Sequence, residues 1–154
     1  MGRALSKFRQ KYNVTGEIIG SKKNCLLMDD GNIIKETRYT DGMVQVGYSG
    51  FGNHLQVLTF TNEIYWLESL RDVDFTPTLI DYDRELLTIK MSYSGDRISK
   101  DNIPDNWKTQ CSNILDVLNS KNCSHNDIKP EDILVHEGKL KLIDFGWANK
   151  IGDD

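Results

Sequence analysis

Three aspartates bracket two short apolar runs in the segment HNDIKPEDILVHEGKLKLIDFGWA, from His125 to Ala148. Ile133-Leu134-Val135 and Leu140-Lys141-Leu142-Ile143 are each of strand length. Glu137-Gly138 between them is a turn signal, so the segment is predicted to double back as a hairpin. Asp127 and Asp132 precede the first run, and Asp144 follows the second. A hairpin brings its ends together, so carboxylates 17 positions apart become neighbours in space. Singly, Asp127 or Asp144 would be a solvated turn residue. Bracketing one ribbon, they constrain the chain more than any other feature.

Upstream, Glu17-Ile18-Ile19, Cys25 to Met28 and Asn32-Ile33-Ile34-Lys35 read as three successive strands. The last two are joined by Asp29-Asp30-Gly31-Asn32, where Asp-Gly between apolar runs favours a tight turn at positive φ. Thr37 to Asn53 carries four glycines and is expected to be a mobile connection. A helix follows over Leu55 to Leu70, with Val57, Phe60, Ile64 and Leu67 at helical spacing. Pro77 opens a strand pair, Thr78 to Asp81 and Leu86 to Met91, turned at Asp83-Arg84. Ser92 to Pro104 is polar and hinge-like. Trp107, Cys111, Ile114, Leu115 and Leu118 then line one face of a second helix, with Asp105 as its expected N-cap. Strands, helix, strands, helix and hairpin in that order make an α+β domain.

The 154 residues suit one domain, and a net charge of −4 speaks against a broad grip on nucleic acid. No apolar run approaches the roughly 20 residues of a membrane span, so none is expected. Three cysteines without a C-x-x-C pair, and three histidines without ligand spacing, suggest neither a disulfide framework nor a zinc site. A reducing, cytoplasmic compartment is the expectation. Met1 to Thr15 has no apolar signal core. MGRALS fits a myristoylation pattern, but with Lys7, Arg9 and Lys11 behind it residues 1–13 read as a basic tail ahead of a single domain over 14–154.

The His125–Ala148 segment resembles the catalytic core of protein kinases, whose signatures are H-R-D-L-x-x-x-N and D-F-G. His125-Asn126-Asp127 stands at the first and Asp144-Phe145-Gly146 is a full copy of the second, while Lys129-Pro130 is similar to Ser/Thr kinases. The resemblance implies a kinase-like fold: a small N-lobe (14–91) with an antiparallel sheet and one helix, a hinge (92–104) and a C-lobe remnant (105–154). It implies ATP and Mg2+, or Mn2+, as cofactors. Phosphoryl transfer asks for metal ions on the phosphate oxygens, a carboxylate to orient the hydroxyl, and cations against the developing charge. By resemblance Asp127 takes the hydroxyl proton, Lys129 meets the γ-phosphate, and Asp132 and Asp144 hold metal. Lys35 stands for the third-strand lysine and Glu63 for its helix partner. Leu67, one turn beyond, stands where the family packs an apolar residue toward the D-F-G phenylalanine. Gly20, Lys22, Ile33, Met91 and Leu134 fall at cofactor-binding positions, with Ile33 sharing the Lys35 face of its strand.

The family pattern is also broken. In IGSKKNCLL only Gly20 remains of the glycine-rich loop; Lys22 and Cys25 fill the other glycine positions, and Lys22 or Lys23 is a candidate to replace backbone dipoles with a point charge. Asp132 replaces an asparagine, and Asn126 the arginine that meets a phosphorylated activation loop. Eight residues follow Gly146, so the activation segment is expected to be missing and the Trp107–Leu118 helix to keep an uncovered apolar face. That face suggests a homodimer or a partner protein. The compactness suggests a virus-encoded protein. The resemblance implies a minimal Ser/Thr-type kinase with a protein substrate; the alternatives are a pseudokinase-like nucleotide-binding module and a small-molecule or sugar kinase.

Overall fold

The computed structural model describes residues 17–19, 25–28, 30–37 and 49–152. Strands β1 (Glu17–Ile19), β2 (Cys25–Leu27), β3 (Ile33–Glu36), β4 (Leu79–Asp83) and β5 (Thr88–Met91) form one antiparallel sheet in the order β1-β2-β3-β5-β4. The β2–β3 turn is a tight one: Gly31 takes φ 84, the Met28 amide donates to Asn32 O at 2.8 Å, and Asp30 Oδ1 accepts from the Asn32 amide at 3.0 Å. The register sets Cys25 opposite Lys35 and Lys35 opposite Ile89, so these three share one face of the sheet. Leu27, Ile33 and Met91 form the next row on that face.

Helix α1 (Ser49–Ser69) lies against this sheet, and its Phe60, Ile64 and Leu67 are buried in the core with Ile89, Met91 and Phe145. The helix starts earlier than the glycines predict: Ser49 to Asn53 belong to it, while residues 38–48 lie outside the described residues. Glycine costs a helix interior about 1 kcal/mol each, and packing of the later turns outweighs that. Val57, expected in the apolar stripe, is 48% exposed. Thr59 and Glu63 take the buried side instead, polar positions to which hydrophobic periodicity gives no weight.

The β4–β5 connection is Arg84 to Leu87, two residues later than predicted. Asp83 Oδ1 accepts from the amides of both Glu85 and Leu86 at 2.9 Å, and Leu87 takes φ 53. The stretch from Ser92 to Pro104 is not hinge throughout: Asp96–Arg97 form β6, which joins β8 (Ile133–His136) and β9 (Lys139–Leu142) in a second sheet, β6-β8-β9. The β8–β9 hairpin turns at Glu137 (φ 52) and Gly138 (φ 79), the consecutive positive φ values of a two-residue hairpin loop. A third, two-stranded sheet pairs β7 (Cys123–Ser124) with β10 (Asn149–Lys150); neither strand was foreseen.

Helix α2 (Trp107–Ser120) begins after Asn106, not Asp105, and the Asn106 side chain accepts from Gln110 rather than capping the helix. Its predicted apolar face is split. Leu118 is buried and Ile114 packs on the core, whereas Trp107 and Leu115 stay exposed, Leu115 at 52%. Gln110 fastens α2 to the β9 edge with its amide, donating to Gly138 O at 3.0 Å and accepting from the Leu140 amide at 2.8 Å. On the far end of that edge the Leu142 amide donates to Phe75 O at 2.8 Å, and Lys141 Nζ to Asp74 O. The edge strand is thus covered by α2 and by the loop before β4.

Two measurements test this packing. Gly95 has φ +103 beside the Val135 carbonyl, which a Cβ would strike. Gly95→Ala should cost about 2 kcal/mol or more, and Gly138→Ala, with open space around it, about 1 kcal/mol; equal shifts in urea midpoint would contradict the β6–β8 register. Burial pushes the Cys123 thiol up from 9.0 to about 11. The folded state therefore keeps a proton that the unfolded state sheds, so Cys123 contributes a loss of stability as pH climbs from 9 toward 11. Cys123 should resist alkylation at pH 8 until the protein unfolds, as read by mass spectrometry.

Candidate active site

Lys35 leaves the sheet on β3, Glu63 comes from the second half of α1, and Asp144 lies just past β9. Lys35 Nζ is 2.9 Å from Glu63 Oε1, 3.2 Å from Glu63 Oε2 and 3.3 Å from Asp144 Oδ1. Their side chains are only 15%, 4% and 18% exposed in the order Lys35, Glu63, Asp144. Burial by itself would lower the Lys35 pKa; Asp144 and Glu63 more than offset that and hold it above the ordinary lysine value. The pair's stabilisation is therefore intact below the ordinary lysine pKa and is lost progressively as pH rises from there to the raised folded value.

A second cluster sits on the loop between β7 and β8. Lys129 Nζ lies 2.8 Å from Asp127 Oδ2 and 3.5 Å from Asp132 Oδ2. The hydrogen bond to Asp127 raises the Lys129 pKa, with Asp132 and Asp144 adding to it. Asp132 closes a single 3-10 turn, Pro130–Asp132, that opens on the φ-restricted proline and leads directly into β8. Asp127, Asp132 and Asp144 each offer a carboxylate oxygen, and these lie within 4.8 Å of one another. All are hard oxygen donors, the set that suits Mg2+ or Mn2+ rather than a softer metal. Across both clusters four carboxylates face two ammonium groups, so added positive charge fits here.

His125 orders the loop. Its Nε2 is 2.8 Å from Ile143 O and its Nδ1 3.2 Å from the Asp127 amide. A carbonyl only accepts and an amide only donates, so the hydrogen bonds assign the ring proton to Nε2. One imidazole thereby links the strand end before Asp144 to the backbone of Asp127. Its edge packs on Phe145 with centroids 4.8 Å apart. Phe145 and Leu67 are both fully buried in the common core. Two non-glycine residues here take left-handed backbone, Asn126 (φ 70) and Asp144 (φ 67), at a cost of about 1–2 kcal/mol each that Asn and Asp bear best.

The structure thus joins Lys35, Glu63 and Asp144 in one cluster, and Asp127, Lys129, Asp132 and Asp144 in another, with Asp144 common to both. Ile33 and Met91 are cross-strand partners and belong to the core. Leu134 lies in the other sheet, half-buried opposite Arg97 and Lys141 and outside that cluster. Gly20, Lys22 and Lys23 lie outside the described residues. Sequence patterns missed the ordering role of His125 and the amides Asn62 and Asn126. The available signal for Asn62 was a polar side chain next to Glu63 on the predicted helix.

The protein kinase domain family matches residues 76–154, just over half of the chain. The chain belongs to the protein kinase family. Serine/threonine-protein kinase mph1 of Schizosaccharomyces pombe is 46% identical over 48 residues, 31% of this chain and 7% of that protein. Aurora kinase of Saccharomyces cerevisiae is 50% identical over 40 residues, 25% of this chain and 11% of that protein. The chain thus spans about a tenth of the length of these relatives. Among solved structures, the Rio2 kinase–ADP/Mg2+–phosphoaspartate complex from Chaetomium thermophilum has a TM-score of 0.67 at 20% identity, over 97% of this chain and 53% of that one. WbdD, crystallised with a kinase inhibitor, has a TM-score of 0.58 at 15% identity, over 82% of this chain and 31% of that one. Both likenesses are of the kinase fold.

Removing one member of the buried ion cluster tests its energetics. Lys35→Met leaves two carboxylates without their cation and should cost about 3 kcal/mol in urea denaturation. Adding Glu63→Gln, which keeps an acceptor for the Phe145 amide, should recover at least half of that loss. A Lys35→Met protein as stable as the wild type would mean that the cluster is not closed in solution.

Proposed function

We propose that the chain is an ATP- and Mg2+-dependent phosphotransferase of the Ser/Thr protein kinase type. The observation that carries this is the meeting of two clusters at Asp144: a buried Lys35–Glu63 pair on one side, and Asp127, Lys129 and Asp132 on the other. Magnesium, when bound with the nucleotide, supplies positive charge against the phosphate oxygens; Asp132 and Asp144 are the residues that would hold it. Lys35, fixed by Glu63, presents an ammonium group to the phosphates. Asp127 is half-buried and held by His125 through its own amide, and its carboxylate accepts the proton of the attacking hydroxyl. Lys129, already bonded to Asp127, neutralises charge that develops on the transferred group. The substrate is a protein hydroxyl by analogy with the Ser/Thr-type Lys129-Pro130 pair.

Radiolabelled ATP with Mg2+ or Mn2+ tests this on the full chain, offered itself, generic proteins and sugars as acceptors. Transfer to protein should fall at least about a hundredfold in both Asp127→Ala and Asp144→Ala. Transfer to sugars instead would make the chain a small-molecule kinase. Nucleotide binding with no transfer to any acceptor would make it a binding module.

A further inference from the structure

Asn62 has none of the roles above, yet its side chain reaches three carbonyls of the loop that follows Asp144. Its Nδ2 lies 3.3 Å from Phe145 O, 3.0 Å from Gly146 O and 2.6 Å from Ala148 O. One amide nitrogen carries two hydrogens, so three carbonyls share two donors. The next residue on the same helix, Glu63, accepts the Phe145 amide through Oε2 at 3.3 Å. Helix α1 therefore holds both the donor and the acceptor side of the backbone that follows Asp144. The two surfaces touch closely: a Cβ on Gly146 would come within 3.3 Å of Thr59 Cβ, one turn back on α1.

We propose that Asn62 is a positioning residue for Asp144, clamping residues 145–148 to α1 so that the Asp144 carboxylate stays beside Lys35 and within the Asp127–Asp132 cluster. The left-handed φ at Asp144 makes such a clamp necessary, because a residue held in a costly conformation persists only where its surroundings over-determine it. Asn126 anchors the outgoing chain in the same manner. Its Nδ2 donates to Trp147 O at 3.0 Å and to Asn149 Oδ1 at 2.8 Å, and its Oδ1 accepts from Ser124 Oγ at 2.7 Å. The loop is thus fixed by uncharged amides from two directions. The functional consequence, that loosening the clamp weakens metal binding with the nucleotide, rests on the phosphotransferase reading above.

The test compares wild type, Asn62→Leu (similar size, no donor), Asp144→Ala and the double variant. ADP affinity is measured by calorimetry with and without Mn2+, and amide exchange is measured on the ligand-free proteins. The Mn2+-dependent gain in ADP affinity should fall about tenfold in Asn62→Leu, as for other residues that orient a metal ligand, with metal-free ADP affinity unchanged. The double variant should match Asp144→Ala alone, since a residue acting through another adds nothing once that other is gone. Exchange at the Phe145 and Ala148 amides should quicken at least tenfold in Asn62→Leu, with the β8–β9 hairpin unaffected. Unchanged exchange, an equal fall with and without Mn2+, or losses that multiply in the double variant would each overturn the proposal. Should the wild type bind no ADP at all, the phosphotransferase reading fails, and the exchange measurement still decides the clamp. If Asn62→Leu does not fold, Asn62→Ala carries the same comparison.

Discussion

A single buried ammonium group holds the site together. At Lys35 the five-stranded sheet, helix α1 and the loop after β9 meet through charge. At an effective dielectric of about 20, each of its contacts to a carboxylate near 3 Å is worth several kcal/mol of attraction before desolvation is counted. Desolvation removes much of that, so the cluster contributes less to net stability than to geometry. What it sets is the separation of three elements drawn from distant parts of the chain. Hydrophobic packing could hold α1 on the sheet at several neighbouring settings, but two oxygens of Glu63 on one Lys35 nitrogen select one of them.

The parts of this arrangement legible in the sequence are those written in short-range chemistry. Glu137-Gly138 between two apolar runs needs positive φ and so marks the hairpin; Asp30-Gly31 does the same for β2–β3. Lys35 and Glu63 were legible because a motif downstream gave a reason to pair two otherwise ordinary charges. Helix α1 was found by its period, yet Val57 was misplaced because periodicity scores apolar side chains and ignores polar ones. The inner face of α1 carries Thr59, whose hydroxyl bonds back to the helix carbonyls of Leu55 and Gln56, and Asn62 and Glu63, whose hydrogen bonds reach Lys35 and the Asp144 loop. Capping propensity offers Asp105, whereas the helix begins after Asn106, whose side chain accepts from Gln110 instead of capping. Two-residue strands such as β7 and β10 are too short to carry a sequence pattern, and their pairing, flanked by the Asn126 bonds to Trp147 and Asn149, joins segments distant in the chain.

His125 shows how one side chain serves both fold and site. A buried imidazole must satisfy both nitrogens, and here the two partners are the Ile143 carbonyl and the Asp127 amide. The same bonds that satisfy its burial fix where Asp127 begins relative to Asp144. Phe145, packed on the ring, extends that constraint into the core, where Leu67 of α1 also lies. Displacement of α1 would therefore disturb the charge cluster, the aromatic contact and the amide clamp together.

The two lysines are not equivalent, and the difference follows from burial. Lys35 is enclosed and shared between Glu63 and Asp144, so it has little freedom to reorient. Lys129 lies nearer solvent, on a flexible four-carbon stem, and its nearest partners are both carboxylates of the metal-compatible cluster. The 2.8 Å contact is to Asp127 and the longer, 3.5 Å one is to Asp132, so positive charge at Asp132 and Asp144 would weaken the longer contact and leave Lys129 on Asp127. In the proposed phosphotransferase, Lys35 would then act as a fixed support for the phosphates and Lys129 as a counter-charge anchored on Asp127.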